Sequence, residues 1–272
     1  MTRLEQNDIN EIATTLVDYD EALIRKTGCS LKEIAAQATG RRISELFDQN
    51  PQIAVIPMTC GQGIIEGFVE SVASIITHLG FKVTITESRD TGGVAEAVQS
   101  GAEILFMADD DRFVAVNLRT GKVSDNGDAT GRGYAVALEH MCAGLQDKKV
   151  LLIGAGPVGN SAALALAGCG AKVSVYDLNL SSSQRLFREL EKQGYTARLE
   201  TDLEAALVRH HILLDACPAE DVIMLRHITT DMMIAAPGIP LGVQALGVEQ
   251  LSERLLHDPL QIGVATMILD VL

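Results

Sequence analysis

The stretch KKVLLIGAGPVGNSAALALAG, residues 148–168, decides the fold of this chain. Two lysines lead into VLLI at 150–153, a short apolar run of the kind that forms a strand buried on both faces. Gly154, Gly156 and Gly159 follow in the spacing GxGxxG, with Pro157 and Val158 between them, and an Ala-rich helical segment comes next. Each glycine has a chemical reason. Gly154 permits the tight turn, Gly156 lets the backbone approach a pyrophosphate, and Gly159 lets the helix pack on the strand. The helix N-terminus then offers free N–H groups and the positive end of its dipole. The next apolar run, KVSVYD at 172–177, ends in Asp177, 23 residues after Gly154. An acid there accepts hydrogen bonds from ribose hydroxyls and repels a 2′-phosphate, and Leu178 and Asn179 follow it rather than an arginine. NAD is therefore expected in preference to NADP.

Working outward, strands are expected at 172–177, 212–217 and 231–236, with helices near 159–168, 181–193, 202–209 and 220–227. Strands alternating with helices predict parallel sheets built from βαβ units. Ligands bind such sheets outside the carboxyl ends of the strands. Cys217 and Pro218 after ILLD, and Pro237 and Gly238 after MMIAA, are therefore candidates to line the nicotinamide half. Polar Gln146 and Asp147 mark the expected boundary, giving a substrate domain at 1–146 and a Rossmann NAD-binding domain at 147–272. The apolar tail LQIGVATMILDVL at 260–272 is expected to be helical and to pack back on the first domain.

Before that boundary, Ile9, Ile12, Leu16, Tyr19 and Leu23 recur at steps of three and four, so 7–26 reads as an amphipathic helix. A short helix is expected at 31–38 and a polar loop at 39–51. The apolar run IAVIP at 53–57 leads to TCGQG at 59–63, and a helix is expected at 64–78. Strands are expected at 81–87, 103–108 and 113–118, with helices at 91–99 and 132–144. TCGQG combines hydroxyl, thiol and backbone N–H groups that suit a substrate carboxylate, or it is simply a turn. EILFMA ends in Asp109, Asp110 and Asp111. Successive residues at a strand end point different ways, so one acid facing an amine is more economical than three on one metal. Asn117, Asp125 and Asn126 in the hairpin-like segment that follows add polar groups.

Composition excludes several classes. Hydrophobic residues make up 47% and charged residues 21% of 272, which is globular rather than disordered. Acids outnumber bases 36 to 22, and a net charge of −14 opposes nucleic acid and anionic membrane surfaces as partners. The opening MTRLEQNDIN has no apolar core for secretion, and Gly and Pro interrupt every long apolar run. Five scattered cysteines without a CxxC pair point to neither disulfides nor zinc, so no metal and a cytoplasmic location are expected.

The segments IPMTCGQGIIEGFVES (56–71), ILFMADDDRFVAVNLRTGKVSDN (104–126), PGIP (237–240) and the tail from 260 resemble the pyrrolysine synthase family over nearly the whole chain. The resemblance implies a C-terminal Rossmann domain, an N-terminal α/β substrate domain and an N-terminal helix acting as a lid. It implies NAD-dependent oxidation of the terminal amine of a 3-methylornithyl-lysine isopeptide, loss of ammonia, and condensation to a pyrroline ring. The family's catalytic contacts would fall on Cys60, Asp109 and Asn126, and its substrate contacts on Leu4, Thr59, Phe68, Ala108 and Asp110. Cys60 departs from the family pattern, where serine stands, and a thiol donates a weaker hydrogen bond. A homodimer is the usual assembly. Two other readings are compatible with these residues: another amino-acid or imine dehydrogenase, or a non-catalytic NAD sensor.

Overall fold

The computed structural model describes residues 4–45 and 50–272. The chain falls into two units, one of Met1–Ala22, Ser30–Ala129 and Leu260–Leu272, the other of Leu23–Cys29 and Thr130–Pro259.

The first unit opens with α1 (Gln6–Ile9) and with α2 (Ile12–Thr27) as far as Ala22, two helices where one was expected, separated by a turn at 10–11. Ile9, Ile12, Leu16 and Leu23 form the buried stripe. The α3 helix (Leu31–Ala38) is capped by Ser30, whose side chain accepts the Glu33 N–H while Glu33 reaches back to the Ser30 N–H. Of the expected loop at 39–51, Ile43–Glu45 form a single 3-10 turn and residues 46–49 lie outside the described residues.

Five strands make the sheet of this unit: β1 (Ile53–Ile56), β2 (Val83–Ile85), β3 (Ile104–Ala108), β4 (Phe113–Asn117) and β5 (Val123–Asp125). Their order is β2-β1-β3-β4-β5. The first three are parallel, joined through α4 (Phe68–His78) and α5 (Asp90–Gln99). The last two run antiparallel, so the sheet is mixed rather than parallel throughout. The turns at 109–112 and 118–122 are too short for a crossover and can only reverse the chain. The α4 helix starts at Phe68, not 64, because Gly63 and Gly67 hold φ of +87° and +85°. The α11 helix (Gln261–Val271) belongs to this unit and is buried almost throughout, packing on α3, α4, β4 and β5. Asn117 donates to the Val271 carbonyl at 2.8 Å and caps the Arg119 and Thr120 N–H groups, so it is a structural residue.

The α6 helix (Asn126–Met141) starts six residues earlier than its glycine-rich beginning suggests. Gly131 is there for packing, since a Cβ would meet the Ala162 N at 2.7 Å and the Ser161 Cβ at 2.8 Å.

The second unit has a six-stranded parallel sheet in the order β11-β10-β9-β6-β7-β8. Its strands are β6 (Lys149–Ile153), β7 (Lys172–Tyr176), β8 (Ala197–Leu199), β9 (Ile212–Asp215), β10 (Met233–Ala235) and β11 (Leu255–Leu256). The helices α7 (Pro157–Gly168), α8 (Leu180–Lys192), α9 (Leu203–Arg209) and α10 (Ala245–Leu251) complete it. The order turns back between β6 and β9, the switch point at which doubly wound sheets open a crevice. The helix expected at 220–227 is absent. Ile223 instead bridges Val243, exchanging backbone bonds with Gly242 and Gln244, and only Leu225–His227 turn as a 3-10 helix.

Candidate functional site

In the second unit, β6 ends at Ile153 and the chain turns through Gly154 at φ +94°. A Cβ on Gly154 would meet the Ala216 carbonyl carbon at 2.9 Å, so this glycine is required by both its conformation and its neighbour. Gly159 lies against the Gly154 carbonyl oxygen with no room for a Cβ. Gly156 is the reverse case: nothing stands within 4 Å of a Cβ there. It is exposed, it precedes Pro157 at the first turn of α7, and no side chain caps that helix start. Its amino-terminal N–H groups are thus open on the face where an anion would sit.

Asp177, just past the end of β7, is half-buried and accepts the Ala155 N–H at 2.6 Å on one oxygen and the Asn179 N–H at 2.7 Å on the other. An ionised carboxylate has about four acceptor sites, so two backbone bonds leave capacity for ribose hydroxyls. Asn160 donates to the Ala155 and Gly156 carbonyls, both at 2.7 Å, and braces the same loop. The open cradle at Gly156, the uncapped helix start and the anchored acid together fit a dinucleotide.

The neighbouring strand ends carry Cys217, Pro218, Pro237 and Gly238. A Cβ on Gly238 would strike the Cys217 carbonyl oxygen, and its N–H donates to the Asp215 carbonyl at 3.1 Å. The two loops therefore interlock. Beneath them Asp215 is fully buried, a residue that sequence reasoning passed over. The available signal was a carboxylate closing the apolar run ILLD. Burial pushes its carboxyl up to about 6, against the opposing pull of hydrogen bonds from Cys217.

In the first unit, the parallel pairing of β1 with β3 and the reversals through β4 and β5 bring three segments to one sheet edge. Thr59 and Cys60 follow β1, Asp109 to Asp111 follow β3, and Asn126 follows β5 at the start of α6. Asp90 holds Thr59, accepting its N–H at 2.7 Å and its hydroxyl. Those bonds keep the Asp90 carboxyl below its usual range. The sequence signal for Asp90 was only its place at the start of a helix. Asp110 accepts the Gln62 N–H at 2.7 Å and closes against Gly61, which leaves Gly61 no space for a side chain. It ties the Thr59–Gly63 turn to the β3–β4 turn. Asp109 accepts the Asp111 and Arg112 N–H groups at 2.9 and 2.7 Å through Oδ1 alone. Asp109 and Asp110 thus hold different partners. Asp109 and Cys60 are both exposed, and Ala108 is half-buried.

Asp125 accepts the Gly127 N–H and pairs with Arg112 at 3.1 Å, placing Asn126 beside the β3–β4 turn. Phe68, at the start of α4, meets Phe113 edge-on at 5.3 Å. Leu4 precedes α1, which packs on α4 with the Ser71 hydroxyl donating to the Ile9 carbonyl at 3.3 Å. All eight residues singled out in this half therefore belong to one unit, and six of them share its sheet edge or the turns on it.

Two family descriptions match the chain: "Pyrrolysine biosynthesis protein PylD, N-terminal domain" over residues 8–124, and "Shikimate / quinate 5-dehydrogenase" over 136–239. The pyrrolysine synthase of Methanosarcina acetivorans is 32% identical over 276 residues, covering 100% of both chains. The chain belongs to the pyrrolysine synthase family. The Methanosarcina barkeri pyrrolysine synthase is 31% identical over 273 residues, covering 100% of this chain and 98% of that one. Among solved structures, a shikimate dehydrogenase in complex with NADP+ aligns with a TM-score of 0.55 at 15% identity, over 82% of this chain and 91% of that one. The quinate dehydrogenase of Corynebacterium glutamicum in complex with NAD gives 0.55 at 16% identity, over 81% and 93%. At those identities the likeness shows the dehydrogenase fold. Membership in the pyrrolysine synthase family makes the chain an enzyme of pyrrolysine biosynthesis. Among the described residues no helix is long and apolar enough to cross a membrane.

Proposed function

We propose that this chain is an NAD-dependent pyrrolysine synthase that oxidises the terminal amine of a methylornithyl-lysine isopeptide and lets the product close to a pyrroline ring. The observation that carries the reading is the gathering of Thr59, Asp109 and Asn126 at one sheet edge in a chain similar over its full length to pyrrolysine synthases. NAD held here would accept a hydride from the carbon bearing the amine once that amine has released its proton to solvent. The iminium would add water and release ammonium, and the aldehyde would condense with the remaining amine with loss of water. The Gly154–Gly159 turn and the start of α7 hold the pyrophosphate, and Asp177 holds the ribose.

The carboxylate of Asp109 meets a substrate ammonium, because its Oδ1 is engaged by the turn and its Oδ2 carries the free acceptor capacity. Thr59, Cys60 and Asn126 orient the polar end of the substrate, and Leu4 and Phe68 pack on its chain with the N-terminal helix as a cover. Cys60 binds rather than attacks: it is exposed, and no histidine is paired with it among the described residues. The assembly is proposed to be a homodimer, the common default for such enzymes.

Incubating the protein with NAD and the isopeptide should produce NADH and a cyclised product by mass spectrometry. Neither appearing would sink the reading. NADH formed from free lysine or ornithine alone would favour a different amino-acid dehydrogenase. Asp109→Asn keeps the Oδ1 acceptor of the turn and removes the charge. It is expected to lower kcat/KM about 10- to 100-fold, the worth of one charge-assisted hydrogen bond, with circular dichroism unchanged. Equal kcat/KM in the two proteins would remove Asp109 from the site. Asp177→Ala is expected to weaken NAD binding about tenfold by calorimetry, since it loses the ribose acceptor and releases the Ala155 N–H.

A further inference from the structure

Asp215 is a fully buried acid that the functional reading leaves unused. It closes β9 beside the switch point, paired in register with Ile153 of β6. Its Oδ1 accepts both the Cys217 N–H at 3.2 Å and the Cys217 thiol at 2.9 Å. Its main-chain oxygen accepts the Gly238 N–H at 3.1 Å. Its Oδ2 has no hydrogen-bond partner among the described residues, and it closes against Gly242 so tightly that a Cβ there would overlap it. One carboxyl residue therefore touches both loops that follow β9 and β10.

Such an arrangement is costly. A buried carboxylate with an unsatisfied oxygen loses several hydrogen bonds to water, and a neutral side chain of the same shape would be buried at lower cost. Its retention has to be explained by what the charge holds in place. Two donors from Cys217 converge on Oδ1, and converging donors favour the ionised form and draw the turn onto it. Of the groups around it, Cys217 is the ionisable one. The neighbours from β6 and from the 237–242 loop are Ile153, Gly238 and Gly242, which carry no charge. The thiol is no competitor for the charge, because burial and the Asp215 charge push it well above its ordinary range.

We infer that Asp215 is a positioning residue of the cofactor site, its ionised carboxylate holding the Ala216–Pro218 turn and the 237–242 loop in the geometry that receives the nicotinamide half of NAD. This rests on the functional reading above and adds a residue that does not itself touch the cofactor. Burial pushes its carboxyl up to about 6, so the hold weakens as the pH falls through that value. The test is the NAD dissociation constant, measured by calorimetry on the cofactor-free chain between pH 5 and 8, for wild type, Asp215→Asn and Asp215→Ala. Wild type should bind NAD about three- to fourfold more weakly at pH 5.5 than at pH 7.5. Asp215→Asn should bind weakly with no such inflection, and Asp215→Ala more weakly still. The amide keeps the side-chain shape, so it carries the test even where alanine fails to fold. An Asn variant with the wild-type pH profile overturns the inference while NAD binding itself stands. A wild-type chain that binds no NAD at any pH overturns the functional reading and this inference with it.

Discussion

Alanine at Gly159 is expected to abolish measurable NAD binding and to destabilise the Rossmann unit by about 3 kcal/mol, the upper range for an overpacked contact. The added Cβ meets a main-chain oxygen, that of Gly154, rather than the end of a flexible side chain. Either α7 lifts from β6 or the turn at Gly154 deforms, and Gly154 is itself confined by Ala216. Gly156→Ala provides the contrast. Its φ of −78° is open to any residue, and nothing stands within 4 Å of the new methyl group. The apo fold should be unchanged or slightly firmer, by about 0.5 kcal/mol from the stiffer unfolded chain. NAD affinity should still fall, because the methyl occupies the space the pyrophosphate needs. Thermal melts and calorimetry on the two variants separate packing from binding. Equal loss of stability in both would show that the glycine loop is a folding element only.

The second large effect is a gain. Asp215→Asn should stabilise the apo protein at neutral pH by about 1–3 kcal/mol, while costing NAD affinity. The sign follows from linkage. The folded-state carboxyl titrates at about 6, above the ordinary aspartate value of 3.8 that the unfolded chain restores. A raised folded pKa contributes stability that is fully present below the unfolded pKa and is lost as the pH rises through 6. A rise of that size corresponds to about 3 kcal/mol, from which the weakened bonds to Cys217 subtract. Acids such as Asp90 and Glu204, whose carboxyls are held low by hydrogen bonds, act in the opposite direction in both proteins and cancel in the comparison. Urea unfolding at pH 4.5 and 7.5 should show a clearly larger advantage of the variant at the higher value. No difference at pH 7.5 would mean that the buried charge is compensated elsewhere. Stability given up for a charged group at a cofactor site is a familiar exchange.

The residues that announced themselves in the sequence are those whose chemistry is local. Gly154, Gly156, Gly159 and Asp177 read correctly as a turn, helix start and acid because strand, glycines and helix are contiguous. Asp215, Asp90 and Asp125 act through partners that the chain brings together only by folding, so their spacing carried no pattern. The same cause explains the errors in the elements. Ile223 and its neighbours have helical composition, but pairing with Val243 captured them. The helix expected from 132 begins at Asn126, and Gly131 within it serves the close approach to α7. Short strands such as β8 and β11 have too few residues to show a period.

The α11 helix carries a consequence for the birth of the molecule. Its residues fill the core beneath β4 and β5 and against α3, yet they are synthesised after everything in the second unit. The sequence of the Rossmann unit is therefore complete before α11 is made. The sheet of β1–β5, although translated first, waits on the order of ten seconds with its apolar face uncovered. A chaperone that shelters that face, or a slow step before α11 emerges, would govern how much active enzyme a cell obtains from each message.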